Sequence, residues 1–471
     1  MSSVPYFIRR NGVLNLPRSS PASKALTETL LQNDAQQNHC YFKQSGLHNH
    51  LIHHILAAYD LGTPAGLLQK IFESENSYQR PIENWSDFLE NQSAYGAFVT
   101  FFESRVSSFG ALKTIEEFIF SPAANEQGKL MLARLMSGAL HPFILLGYAL
   151  EFGNDALVST GISSSNLSKT LLSTYIFHFT GIASACVHTV RSSCLFEPEP
   201  KNNSTGLTVL EILSLLQASP ILKPEEIIAL CSRFHVDETL GDAEMKSKIE
   251  ELVWGSVLLL FATGREGRKP RLDFFLMHLV TSSIFLQSYI NVLENPAHKA
   301  SIIKAFLPGM LLFSLVRGRP TIKPHLLMEA TDKPRPPYLS ATDKPRPPYL
   351  SGSPYKPGKN TIGSPMNDED YNPWPALIEA SIHSSDSHVP QDDADIVRGY
   401  TSGSVIGAFK QAEGAKEAET HEGVAKLDGS IFVRAAGMLM DYMGWTTYGQ
   451  PERDDWDRSA HGWDDAWNDG D

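Results

Sequence analysis

Cysteine is scarce in this chain, which carries only Cys40, Cys186, Cys194 and Cys231. No CxxC pair and no zinc-ribbon spacing occurs among them, so reduced intracellular thiols are the simplest expectation. Clusters of basic residues are also missing. The net charge of -13 argues against nucleic acid as the main partner, because neutralising phosphates needs grouped Lys and Arg. Neither GxGxxG nor a P-loop is present, and HExxH and GxSxG are absent too. These absences exclude only the enzymes that carry those signatures, and they leave no flavin motif. The segment MSSVPYFIRRNGVLNLPRSS lacks a continuous apolar core, and Arg9 and Arg10 interrupt it, so secretion is not expected and a cytoplasmic location is.

What is present is apolar and helical in texture. With 471 residues and 42% hydrophobic content the chain can bury a large core. Three segments are apolar enough to raise the question of a membrane: Met131 to Leu150, Phe274 to Leu293 and Ile302 to Val316. The first two carry a histidine and other polar residues, and the third is too short to span, so no membrane span is expected. All three read as central helices of a bundle.

Gly46 to Gly62, GLHNHLIHHILAAYDLG, holds His48, His50, His53 and His54 within seven residues. Leu51, Ile52, Ile55, Leu56 and Tyr59 recur at helical spacing, and Gly62 is placed as a C-terminal cap. On such a helix His50 and His54 lie one turn apart on one face, where two imidazoles can meet one metal ion. The competing expectation is an ordinary half-buried helix whose histidines are satisfied by carbonyls.

Along the chain, residues 1–40 form a polar N-terminal arm with one amphipathic run, Leu26 to Leu31. Residues 41–319 read as a helical body. Within it helices are expected at Tyr95 to Phe109, Ala111 to Phe120, Asn125 to Phe152, Thr208 to Leu216 and Asp242 to Phe261. A further helix, Phe274 to Leu293, is capped by Asp273, and Pro296 lies past its end. The run within Ser163 to Ser193 is ambiguous between helix and strand. Residues 320–373 read as a proline-rich linker. Pro320 to Pro375 contains 13 of the 29 prolines, and ATDKPRPPYLS occurs twice in succession. An exposed segment tolerates such a duplication because loop entropy grows only logarithmically, and a PxxP ligand is a further reading of it. Residues 374–450 supply C-terminal helices that complete the body, and 451–471 form a solvated acidic tail whose tryptophans, Trp456, Trp463 and Trp467, can still lie on the body. The fold class expected is mainly α, a large helical bundle interrupted by the linker.

Histidines on apolar helices carry the chemical information. His141 in LHPFILLGYALEF and His278 in DFFLMHLVTSSIF should be buried, and a buried imidazole needs a hydrogen bond or a metal. His388, in SSDSHVP, has a more polar setting. Metal sites are commonly built where several helices of a bundle meet. One HxD, His235-Val236-Asp237, offers a weaker alternative as part of a two-histidine, one-carboxylate site. Phe143, Tyr148, Phe274 and Phe285 are candidates to line a flat pocket, with core packing as the alternative.

Taken together, Asn49-His50 followed by His53-His54, then HPFILLGYALEF, LMHLVTSS and NPWPALIEASIHSSDSHVP, resemble the questin oxidase-like family from about residue 40 to 450. The resemblance implies an oxygen-dependent oxidoreductase of aromatic polyketide pathways, acting by Baeyer-Villiger-type oxidation or ring cleavage on an anthraquinone-like small molecule. It implies NADPH as reductant for some members and, for part of the family, a non-haem Fe(II) held mainly by histidine. Position by position, the implied ligands are His50, His141, His278 and His388. The family often has a lysine three residues after the last of these, and Gln391 stands there instead. Two alternatives remain: a metal-free oxidoreductase using NADPH directly, and a non-catalytic helical binding protein. The sequence gives no indication of oligomeric state.

Overall fold

The computed structural model describes residues 5–16, 20–38, 40, 48–75, 95–126, 129–168, 206–219, 224–239, 241–337, 360, 362–363, 367–391, 396, 419–453 and 455–468. Among these the chain is helical throughout, and pairing of extended backbone is confined to two isolated bridges, Thr263 with Ile322 and Asp273 with Asp457.

The helices in order are α1 (Pro21–Gln37), α2 (Leu51–Asp60), α3 (Ala65–Glu75), α4 (Tyr95–Phe109), α5 (Ala111–Ile115), α6 (Pro122–Asn125), α7 (Met131–Leu135), α8 (His141–Phe152) and α9 (Asp155–Leu167). They continue with α10 (Val209–Ala218), α11 (Pro224–Cys231), α12 (Asp242–Phe261), α13 (Phe274–Ser283), α14 (Phe285–Val292), α15 (Pro296–Val316), α16 (Pro324–Met328), α17 (Trp374–Ile382) and α18 (Ser430–Met443). Local sequence sets many of these limits. Thr208 and Glu211 close a capping box at the start of α10, and Asp273 accepts from the backbone of Phe275 and Leu276 at the start of α13.

Helices α8, α13, α14 and α15 form the centre of the core, and every residue of α8 and α13 is buried. Gly147 lets α14 close on α8, since a Cβ there would lie 2.6 Å from Phe285 Cβ. Across the same contact Tyr289 donates to the carbonyl of Phe143 at 3.0 Å, and Phe143 stacks on Tyr289 at 4.6 Å. The segment Phe274–Val292 and the 21-residue α15 are long and apolar enough to cross a membrane, yet 78% of each is buried within the body. They are core helices.

Several expectations need correction. The continuous helix from Asn125 to Phe152 is broken into α6, α7, a 3₁₀ turn at Gly138–Leu140 and α8. The cause is backbone: Gly138, Ala139 and Leu140 have φ of 58°, 53° and 67°. The helix read as Phe274 to Leu293 divides at Ile284, and Pro296, which does lie past its end, also opens α15 with Asn295 as the cap. That helix is also longer than Ile302 to Val316. The Ala111 to Phe120 helix finishes in a π-helical turn, Glu116–Phe120. The ambiguous run after Leu167 and the second copy of the repeat lie outside the described residues.

The acidic tail is not a solvated end over residues 455–468. Trp456 and Trp467 are buried, and the backbone of Asp457 donates to Leu272 and accepts from Phe274 at 2.9 and 2.8 Å. Arg271 covers the ring of Trp467 at 4.3 Å, so the cations that anchor the tail come from the body. Trp463 alone of its three tryptophans is exposed.

Candidate metal centre

Four histidines from distant segments converge. His50, His141, His278 and His388 each offer one ring nitrogen, and these nitrogens all lie within 4.8 Å of one another. His50 is the N-cap residue of α2, His141 opens α8, His278 stands in the second turn of α13, and His388 begins a short helical segment at 388–391.

Each of three rings is oriented by its outer nitrogen. His141 Nδ1 donates to the carbonyl of Gly138 at 2.6 Å, His278 Nδ1 to that of Phe274 at 2.7 Å, and His388 Nδ1 to Asp386 Oδ1 at 3.0 Å. Those partners accept only, which places the proton on Nδ1 and the lone pair on Nε2 in all three rings. The lone pairs point inward. His50 Nε2 lies 2.7 Å from His141 Nε2 and 3.1 Å from His388 Nε2, and it has at most one proton to give. Buried His278 Nε2 has no hydrogen-bond partner among the described residues. Uncompensated lone pairs at these distances repel, and a shared cation would satisfy them. The donor set fits a metal ion.

Burial keeps the rings of His50, His141 and His278 neutral. It pushes His141 from 6.5 to about 3 against the help of the Gly138 carbonyl, and it lowers His50, His53 and His278 well below their ordinary value, with the neighbouring histidines adding repulsion. Burial works to raise the Asp386 pKa, but His388 and the Trp456 N–H outweigh it and hold the carboxylate below its ordinary value.

The left-handed run before α8 is what delivers His141. It folds the Gly138 carbonyl back under the imidazole three residues on. Gly138 is also confined sterically, because a Cβ there would lie 2.6 Å from Nε2 of His48, whose ring stacks on His141 at 4.5 Å. A left-handed Ala or Leu costs of order 1–3 kcal/mol, strain that the surrounding core must offset.

The structure sorts the remaining candidates. His54 stays out of the cluster although it is one turn from His50, because His50 lies at the helix end and its ring turns towards His141. His53 stands closer, with its ring 6.1 Å from His50 and 5.9 Å from His141. It borders a small polar cavity of about 20 Å³ that is also lined by Asp34, Cys40, His48, Tyr95 and His141. That is room for about one water. His235 and Asp237 sit in a turn where the carboxylate caps Thr239, away from any ligand group. Phe143, Tyr148 and Phe285 are core packing, whereas Phe274 faces His278 and His388 at 4.8 and 5.6 Å. Buried Gln391 donates its amide to the Ser387 carbonyl.

A helical bundle enclosing an all-imidazole cluster defines a class: helical proteins with a group of converging histidines, suited to a metal ion, between their central helices. The family pattern described as questin oxidase-like matches residues 47–391, and the chain belongs to that family. The span is narrower than the expected 40 to 450. It is similar to the Baeyer-Villiger oxidase AgnL3 of Paecilomyces divaricatus, with 24% identity over 301 residues, covering 58% of this chain and 63% of the relative. The Baeyer-Villiger oxidase mdpL of Emericella nidulans is 28% identical over 301 residues, covering 58% and 65%. Questin oxidase of Aspergillus terreus is 22% identical over 314 residues, covering 59% and 65%. The chain thus spans somewhat less than two-thirds of the length of these relatives.

Proposed function

We propose that this chain is an oxygen-dependent oxidoreductase that oxidises or cleaves an aromatic polyketide of the anthraquinone type, with a ferrous ion held by His50, His141, His278 and His388. The observation that carries the reading is the convergence of four imidazole nitrogens within 4.8 Å, with a buried Nε2 on His278 that has no partner among the described residues. The names of the relatives, Baeyer-Villiger oxidase and questin oxidase, supply the reaction type and the substrate class. Iron bound there would supply the one-electron chemistry that dioxygen needs, with coordination positions left open by the four rings.

The residues of the chain do the rest. The carbonyls of Gly138 and Phe274 and the carboxylate of Asp386 keep three imidazoles turned inward. Burial keeps His50, His141 and His278 unprotonated at neutral pH and therefore able to bind a cation. Phe274 places an aromatic edge beside two of the ligands, a surface suited to a flat ring.

NADPH belongs to this reading on grounds of electron balance. Inserting one oxygen atom while reducing the other to water requires two electrons from a reductant, whereas a ring cleavage that keeps both atoms requires none. A cytoplasmic location, where NADPH is at hand, is part of the proposal.

The test is anaerobic purification with added Fe(II), followed by metal analysis of the wild type, His141→Ala and His278→Ala. Iron near one per chain that falls in both variants supports the site, and oxygen uptake with an anthraquinone, with and without NADPH, then separates insertion from cleavage. Absence of bound metal in the wild type together with oxygen uptake would favour direct use of NADPH. Absence of both would favour a binding protein.

A further inference from the structure

Residues 455–468 lie outside the family-matched span of 47–391, yet their contacts reach two of the four histidines. Trp456 is 3% exposed, and its indole N–H donates to Asp386 Oδ2 at 3.1 Å. The other oxygen of Asp386 accepts the backbone N–H and the Nδ1–H of His388 at 2.8 and 3.0 Å. Trp456 also presents its ring to His388, with centroids 6.2 Å apart and planes at 76°. One residue on, the backbone of Asp457 pairs with Leu272 and Phe274, and the Phe274 carbonyl is the acceptor that orients His278.

The Asp386 carboxylate is half-buried, and each of its oxygens has a protein donor. Asp386 obtains one from His388 and the other from Trp456, which fixes the plane of the carboxylate. Without the indole N–H, the carboxylate is free to turn about its Cβ–Cγ bond, and the bond that sets the His388 tautomer loosens with it. We propose that Trp456 is a positioning residue of the histidine centre: through Asp386 it holds His388 with its proton on Nδ1 and its lone pair towards His50. The consequence for metal affinity rests on the reading of the cluster as a metal site, while the orientation of His388 does not.

The experiment compares Trp456→Phe with Trp467→Phe in the full-length protein. Both variants remove a buried indole N–H from the same tail, but Trp467 gives its proton to the His461 carbonyl, away from the centre. Histidine-labelled, metal-free protein at pH 8 is read by ¹⁵N NMR, with the His388 signals assigned by His388→Gln, and Co(II) affinity is measured by titration of its visible absorption. The expected result is that Trp456→Phe moves the His388 ring shifts towards a tautomer mixture and weakens Co(II) binding about tenfold, while Trp467→Phe changes neither. The proposal is overturned if Trp456→Phe leaves both readouts at wild-type values, or if the two variants alter them equally, which would make the tail a mere fastening. Failure of the wild type to take up Co(II) would count against the metal reading, and the His388 shifts would still decide the role of Trp456.

Discussion

Two groups of potential ligands lie at the two ends of one short stretch of α13, and they differ in whether the protein's own cations already stand against them. At the histidine centre the inward nitrogens of His50, His141, His278 and His388 meet only one another. The second group, Asp273, Asp457 and His461, has the ligand types of a cation site too. There, however, Arg317 Nε lies 2.6 Å from Asp273 Oδ2, and Asp273 Oδ1 caps α13. Arg271 approaches Asp457 at 3.8 Å, and His461 Nε2 bonds the Thr263 hydroxyl at 2.9 Å. The protein has supplied its own cations. Counting ligand-type residues would treat the groups alike, and the buried Nδ1 of His461 has no hydrogen-bond partner among the described residues any more than His278 Nε2 does, but the guanidinium held at Asp273 sets a lock that fastens the tail apart from the candidate metal centre.

The comparison can be broken most directly at its centre. His278→Ala should remove nearly all tightly bound iron, whereas His461→Ala should leave the metal content unchanged, as measured by elemental analysis of protein purified anaerobically with Fe(II). Equal losses in the two would erase the distinction. The next largest effect concerns stability. Arg317→Met strands the buried carboxylate of Asp273 and should cost about 3–5 kcal/mol in denaturant unfolding. His278→Ala in metal-free protein should cost less, because it relieves repulsion between rings.

Acidity sharpens the same contrast. The unfolded chain takes up a proton at His141 near 6.5, and the folded chain resists until about 3, so the unfolded state binds more protons throughout that window. Stability of the metal-free protein is therefore intact above 6.5 and declines as the pH falls towards 3. The slope approaches about 1.4 kcal/mol per pH unit for each such imidazole. Equilibrium unfolding across that range should show the decline, and His141→Gln should flatten it. The smallest effect expected is that of Gly138→Ala. A Cβ at φ 58° and 2.6 Å from His48 Nε2 should cost about 1–2 kcal/mol and weaken metal binding by displacing His141.

Local signals were legible where a single residue type enforces a boundary. Asp273 and the Thr208–Glu211 pair announce their helices, and the phenylalanine spacing of α4 marks Tyr95–Phe109 to the residue. The break before His141 was not legible, because nothing about Ala139 or Leu140 advertises a left-handed backbone; only tertiary packing holds them there. Of the site, His141 and His278 followed from the physics of burying imidazole, and His50 and His388 from family resemblance. Asp386 and Trp456 escaped notice because their hydrogen bond spans 70 positions and leaves no periodicity. The same is true of Trp467, which in the sequence sits among aspartates and in the fold lies under Arg271.

The order in which the ribosome delivers these residues has a consequence of its own. His48, His50, His53 and His54 emerge early, whereas Trp456 follows roughly 400 residues later, a delay of about 20–80 s. Until residue 278 is made the early imidazoles lack both later partners, and until residue 388 they lack His388; if the cluster is the iron site proposed above, any copper, nickel or zinc in reach competes for them with the advantage that the general affinity order gives those ions over ferrous iron. On that reading metallation is a matter of timing as much as of geometry, and a cell expressing this chain would have to keep such ions scarce until the last histidine, and the tryptophan proposed to steady it, have arrived.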